Sequence, residues 1–216
     1  MRLKNIKGAT DYVNSSKYII HEPEIHKGKW KEEFNNTNDI HIEIGMGRGN
    51  FIINMALSNP NINYIGIEMY DSVIYKAIKK LESFGEDYPK NLRLIRFDAN
   101  NINDIFDNEI SRIYLNFSDP WPKAKHAKRR LTSKQFLDKY DSIFTGEKQI
   151  FQKTDNNDLF EFSMESLQEH GYTLKNVTRD LYNNMIENNV QTEYEKKFSE
   201  KGTKINRLEA YKPSNV

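Results

Sequence analysis

Glu43 stands two residues before a run of glycines, in Glu43-Ile44-Gly45-Met46-Gly47-Arg48-Gly49. Glycines at a strand–helix turn let the backbone approach a ligand closely, and the helix that follows offers free N–H groups. A turn of this kind would also use glycine for geometry alone, so the spacing has to discriminate. A dinucleotide fingerprint asks for G-x-G-x-x-G or A and would put a small residue at position 50, where this chain has Asn50. Here the run is G-x-G-x-G, and the carboxylate of Glu43 suits a ligand that carries an ammonium group. Glu68 follows about 20 residues on, where an acid can accept hydrogen bonds from ribose hydroxyls. Asp98, Ala99 and Asn100 make a third cluster, in which an acid or amide can read an adenine amino group.

A second group of residues carries different chemistry. Asn116-Phe117-Ser118-Asp119-Pro120-Trp121-Pro122-Lys123 places an acid in a loop stiffened by two prolines. Behind it come Lys123, Lys125, His126, Lys128, Arg129, Arg130 and Lys134, with no acid between Asp119 and Asp138. The formal net charge of the chain is only +1, so this local concentration stands out. Such a cluster is either a solvated helix face or a set of phosphate partners beside a reacting centre. Arg2, Lys4 and Lys7 at the N-terminus add a weaker basic patch.

These residues need elements to hold them. Strand patterns run over Ile40–Ile44, Tyr64–Ile67, Leu92–Phe97, Ile113–Phe117 and Gln149–Phe151. Helical spacing fills Phe51–Leu57, Val73–Phe84, Ile102–Phe106, Phe136–Phe144 and Leu159–His170. Strand–helix alternation at this rhythm predicts an α/β fold with a mostly parallel sheet covered on both faces. Tyr172–Val177 and Ile205–Tyr211 add an antiparallel hairpin at the C-terminal edge, for about seven strands in all. Residues 1–38, with a helical candidate at Glu24–Phe34, form a flanking segment, and 39–216 form the main domain. In such sheets ligands bind beyond the carboxyl ends of the strands, where all three acids fall.

The glycine turn with acids at three consecutive strand ends resembles the class I methyltransferases. Their Rossmann-like fold and their donor, S-adenosyl-L-methionine, become the expectation, since that donor has the ammonium group NAD lacks. The Asp119 loop, with Lys123, His126 and Lys128-Arg129-Arg130-Leu131, resembles the signature of bacterial tRNA (guanine-N7-)-methyltransferases. Lys153-Thr154-Asp155-Asn156, and Thr192-Glu193-Tyr194-Glu195 with Lys197-Phe198, extend the likeness. It runs in order from about Ile40 to Ala210, while Ala124 departs from a position where that family often has a basic residue. The resemblance implies methyl transfer to N7 of a guanosine in the tRNA variable loop. Glu43, Gly45, Gly47, Gly49, Glu68, Asp98, Ala99, Asn100 and Asn116 would then surround the cofactor, and Asp119 would be the catalytic residue. Lys123, His126, Lys128, Arg129, Arg130, Asp155, Thr192, Glu193, Tyr194 and Glu195 would meet the substrate.

Ser118-Asp119-Pro120-Trp121 is also similar to the (D/N/S)-P-P-(Y/F/W) loop of exocyclic-amine methyltransferases, although Trp121 replaces the second proline. Readings of another class are an NAD-dependent oxidoreductase, opposed by Asn50 and Glu43, and a non-catalytic RNA-binding subunit. Composition narrows the field further. The 216 residues include 12 Phe and 12 Tyr, too much aromatic mass for a disordered chain. With no cysteine, thiolate metal sites and C5-methylation of pyrimidines through a thiolate adduct are excluded, and no metal is expected. No apolar run reaches the roughly 18 residues of a membrane span, and the basic N-terminus lacks a signal peptide's apolar stretch. A cytoplasmic enzyme, monomeric or homodimeric, is expected.

Overall fold

Every residue of β2 (Ile40–Ile44) is buried, as expected of a parallel strand covered on both faces. A computed structural model describes residues 5–184, 189–192, 195 and 202–214. The chain divides into two compact units, residues 1–106 and 107–216. In the first, β2 pairs in parallel with β3 (Asn63–Glu68), β3 with β4 (Leu92–Arg96), and β4 with the two-residue β1 (Ile19–Ile20). Between these strands come α3 (Asn50–Ser58) and α4 (Asp71–Ser83), whose apolar faces bury Phe51, Ile52, Ile74 and Ile78. The Asn91 side-chain amide donates to the carbonyls of Ala56, Asn59 and Ile62, so it meets one of the last carbonyls of α3 and ties the loop that follows.

Upstream of β1, α1 (Ala9–Asn14) docks on α4. Thr10 donates to Asp71 at 2.6 Å, the Ile6 amide donates to Ser72 at 2.9 Å, and Tyr12 meets Tyr75 edge-on at 4.9 Å. The helix expected over Glu24–Phe34 is interrupted. Gly28 takes a positive φ of 73°, leaving a 3-10 turn at Pro23–His26 and a short α2 (Trp30–Phe34). Trp30 is fully buried, and its indole donates to the Ile105 carbonyl at 2.7 Å. The helix expected at Ile102–Phe106 is instead a 3-10 turn, Ala99–Asp104.

The second unit pairs β5 (Ile110–Asn116) in parallel with β6 (Lys148–Thr154). β8 (Asn206–Lys212) runs antiparallel to β6, and β7 (Thr173–Thr178) runs antiparallel to β8. Thus β8 lies between β6 and β7, and the register slips between Lys175 and Thr178, where Asn176 has φ 49°. The unit also holds α5 (Lys134–Ile143) and α6 (Asn157–Glu169). The fold is therefore α/β, mostly parallel with an antiparallel C-terminal edge, and the described residues form eight strands rather than about seven. The additional strand is β1, too short to show an alternation of its own.

Candidate active site

In the first unit, β2 and β3 deliver the glycine turn and two acids. The amides of Gly45 and Met46 both donate to the Ile67 carbonyl, at 2.9 and 3.0 Å, which pins the turn to β3. Gly49 has φ 75°, and a Cβ there would come within 3.1 Å of the Ala77 Cβ on α4, so helix packing demands glycine as well. Gly45 and Gly47 also have positive φ, yet their missing side chains would face open space. Room is thus left over the turn at the two positions a ligand would approach. Asn50, which spoils the dinucleotide pattern, opens α3 and accepts a hydrogen bond from Lys80 on α4.

The acids at the strand ends differ in their surroundings. Glu43 is buried within β2. Glu68 accepts from the amides of Gly47 at 3.2 Å, Met69 at 2.9 Å and Tyr70 at 3.2 Å, so its carboxylate holds the turn as well as the end of β3. Asp98 caps the 3-10 turn through the Asn100 amide and also takes the Asn100 side chain, both at 2.9 Å, with Ala99 between them. A buried acid, an open glycine turn and hydrogen-bonding groups at the two next strand ends fit the donor set of an ammonium-bearing adenosine ligand. Among the described residues no group of His, Asp or Glu forms a metal site. No described helix is long and apolar enough to cross a membrane.

In the second unit, Asn116 is buried at the end of β5, and the Phe117 amide donates to the Lys153 carbonyl at 2.8 Å. Phe117 and Trp121 have φ of 52° and 42°, left-handed values that cost a non-glycine residue about 1–2 kcal/mol each. Between them lies Asp119, exposed and taking no hydrogen bond from any described residue. Trp121 is contacted edge-on by His126 at 5.8 Å and covered by the Arg129 guanidinium at 4.9 Å. Lys123 and Lys128 point to solvent along the 3-10 segment Ala124–Arg129. Lys134 instead pairs with Asp138 at 2.8 Å. Arg130 departs from the expected outward role. Its guanidinium turns back to the loop, donating to the carbonyls of Pro120 at 3.1 Å and Trp121 at 3.2 Å.

β6 ends in Lys153-Thr154-Asp155-Asn156, and each residue is put to use. Asn156 caps α6 through the Leu159 amide at 2.8 Å, and Thr154 accepts from the Asn156 amide at 3.1 Å. Asp155 lies half-buried between them. The Lys153 ammonium donates to the Val190 carbonyl at 2.8 Å and to Glu195 at 2.9 Å. Glu195 is wholly buried, and its carboxylate also takes Tyr182, Asn189 and the Thr192 amide, while its own amide donates to the Thr192 hydroxyl. Thr192-x-x-Glu195 is thus a reciprocal capping box, a spacing plain in the sequence but read there only as substrate contact. Glu193 and Tyr194 lie outside the described residues, as does Lys197-Phe198.

A mostly parallel α/β sheet, a G-x-G-x-G turn and hydrogen-bonding acids at the following strand ends define a class I methyltransferase. Comparison with known proteins narrows the class. Residues 37–208 match the family described as "Putative methyltransferase". The tRNA (guanine-N(7)-)-methyltransferase of Lachnoclostridium phytofermentans is 52% identical over 214 residues, covering 98% of this chain and 99% of that protein. The enzyme of the same name from Lysinibacillus sphaericus is 51% identical over 212 residues, covering 97% of each. Solved structures share the fold at low identity. An antibiotic-related methyltransferase gives a TM-score of 0.63 at 18% identity, over 86% of this chain and 93% of that one. The 16S rRNA (adenine(1408)-N(1))-methyltransferase from Catenulisporales acidiphilia gives 0.59 at 11%, over the same shares. The chain belongs to the tRNA (guanine-N(7)-)-methyltransferase family.

Proposed function

We propose that this protein transfers a methyl group from S-adenosyl-L-methionine to N7 of a guanosine in the variable loop of tRNA. The observation that carries the reading is the half-identity to enzymes of that name over nearly the whole of both chains. When bound, the cofactor supplies an electrophilic methyl on a sulfonium. Guanine N7 has an in-plane lone pair and no proton, so the N–C bond forms as the C–S bond breaks and no general base is required. The protein's part is alignment and stabilisation of the positive charge growing on the purine.

Glu43 takes the ammonium end of the donor, Gly45, Gly47 and Gly49 let it lie close to the turn, and Glu68 takes its ribose. Asp98, Ala99 and Asn100 read the adenine, and Asn116 completes the set. Asp119 accepts hydrogen bonds from the guanine N1–H and amino edge, orienting N7, and Asp155 shares that role. Lys123, His126, Lys128 and Arg129 meet backbone phosphates around a target nucleotide whose base is flipped or unstacked in its loop. Thr192 and Glu195 hold each other in the capping box, and Glu193 and Tyr194 contact the substrate. The enzyme works in the cytoplasm.

Turnover with isotopically labelled methyl donor and tRNA transcript, followed by aniline cleavage at N7-methylguanosine, tests the reading. Label incorporated without cleavage would instead favour an exocyclic-amine methyltransferase, and no incorporation would remove the activity.

A further inference from the structure

Among the basic residues behind Asp119, Arg130 turns its charged end onto the backbone of the Asp119 loop itself. Its Nε donates to the Pro120 carbonyl at 3.1 Å and its Nη2 to the Trp121 carbonyl at 3.2 Å. The guanidinium plane also lies over the Phe162 ring of α6, 4.3 Å from the centroid. The two carbonyls immediately follow Asp119, within a stretch whose ends, Phe117 and Trp121, are both left-handed. A backbone held in such a conformation persists only when its surroundings over-determine it. Phe117 is tied by its amide to Lys153, and Trp121 is gripped by Arg129 and His126 on its ring and by Arg130 on its carbonyl.

We propose that Arg130 is a positioning residue rather than a phosphate contact: stacked on Phe162, it clamps the Pro120–Trp121 carbonyls and so fixes where Asp119 presents its carboxylate. The planar fork is what the task requires, since two carbonyls are engaged by donors in one fixed plane. A lysine keeps the charge but offers no such fork. The role in catalysis rests on the methyl-transfer reading above, whereas the clamp itself does not.

The test compares Arg130→Ala and Arg130→Lys with wild type on four readouts. These are thermal midpoint, Trp121 emission, the salt dependence of tRNA binding, and kcat at saturating tRNA. Emission is assigned by repeating Arg130→Ala in a Trp121→Phe background, because Trp30 is the other tryptophan. Both variants are expected to shift Trp121 emission and to lower kcat about tenfold to a hundredfold, as a displaced orienting group does. The log–log salt slope of tRNA binding is expected to stay at the wild-type value. A slope reduced by roughly 0.7–0.9 with kcat and emission intact would make Arg130 a phosphate contact and overturn the proposal. If Arg130→Ala fails to fold, Arg130→Lys decides: wild-type kcat and emission in it would equally overturn the clamp. If wild type methylates no tRNA, the functional reading fails, while the emission shift, read without substrate, still judges the clamp.

Discussion

Asp119 differs from the other acids of the site in what surrounds it. Glu43 is buried, while Glu68 carries three backbone amides and Asp98 caps a turn, so those two have structural work whatever ligand is present. Asp119 is exposed on a rigid loop and takes nothing from the described residues, which leaves both its oxygens for a substrate. Asp119→Asn fills the same space but cannot accept two hydrogen bonds from one guanine edge or offset the positive charge. Each charge-assisted bond is worth roughly 1.5–3 kcal/mol, so kcat should fall at least tenfold while cofactor affinity and thermal midpoint stay put. Calorimetry and single-turnover kinetics on the same preparation check this. A loss of cofactor affinity matching the loss of rate would turn Asp119 into a binding residue, and an unchanged rate would remove it from the site.

Among the elements, the clearest interaction is the one linking β6 to the segment around Thr192. Lys153 and Glu195 are both buried and pair at 2.9 Å. Breaking such a pair leaves a buried charge uncompensated, at a cost of about 3–5 kcal/mol. Glu195→Gln is expected to lose that much in urea denaturation, and Lys153→Met with Glu195→Leu should lose far less than the two single changes summed. Additive losses would mean that the two residues do not act as a pair. The case also shows what a sequence can reveal. Strands such as Ile40–Ile44, with isoleucine at every second position, and the turn at Gly45–Gly49 are legible because burial and backbone conformation restrict residue type locally. β1 was not, because two isoleucines carry no period, and α2 was overrun because Gly28 breaks a pattern that its neighbours continue. The inward turn of Arg130 and the burial of Glu195 depend on partners 32 and 42 residues away in sequence (Phe162 and Lys153), which spacing does not disclose.

For the molecule as a whole, the net charge of +1 makes pH dependence a matter of individual groups rather than of overall repulsion. Asp141 joins α5 to its surroundings, accepting from Lys148 at 2.6 Å, His170 at 2.9 Å and Lys212 at 3.3 Å. Burial alone would raise its pKa, but the hydrogen bonds from Lys148 and His170 and the charges of Lys148 and Lys212 hold it below the ordinary carboxylate value. Glu209 behaves alike: burial opposes its ionised form, while Tyr211, Asn176 and Arg207 outweigh that and lower its pKa. A carboxylate with a lowered native pKa binds fewer protons folded than unfolded, so its stabilisation is present above roughly pH 4 and is lost as pH falls through the native value. Tyr211 contributes to the opposite limb, together with Tyr140 and Tyr172, whose phenols burial also pushes up. Burial, with the hydrogen bond to Glu209, raises the Tyr211 phenol to about 12, so its contribution is complete below pH 10 and fades as pH climbs toward 12. Urea midpoints measured across pH should therefore form a plateau that falls away below roughly pH 4 and above about pH 10. Asp141→Asn should lower the plateau and flatten the acid limb. An acid limb unchanged in Asp141→Asn would show that other carboxylates govern acid unfolding and that the Lys148–Asp141–His170 cluster contributes nothing net to the fold.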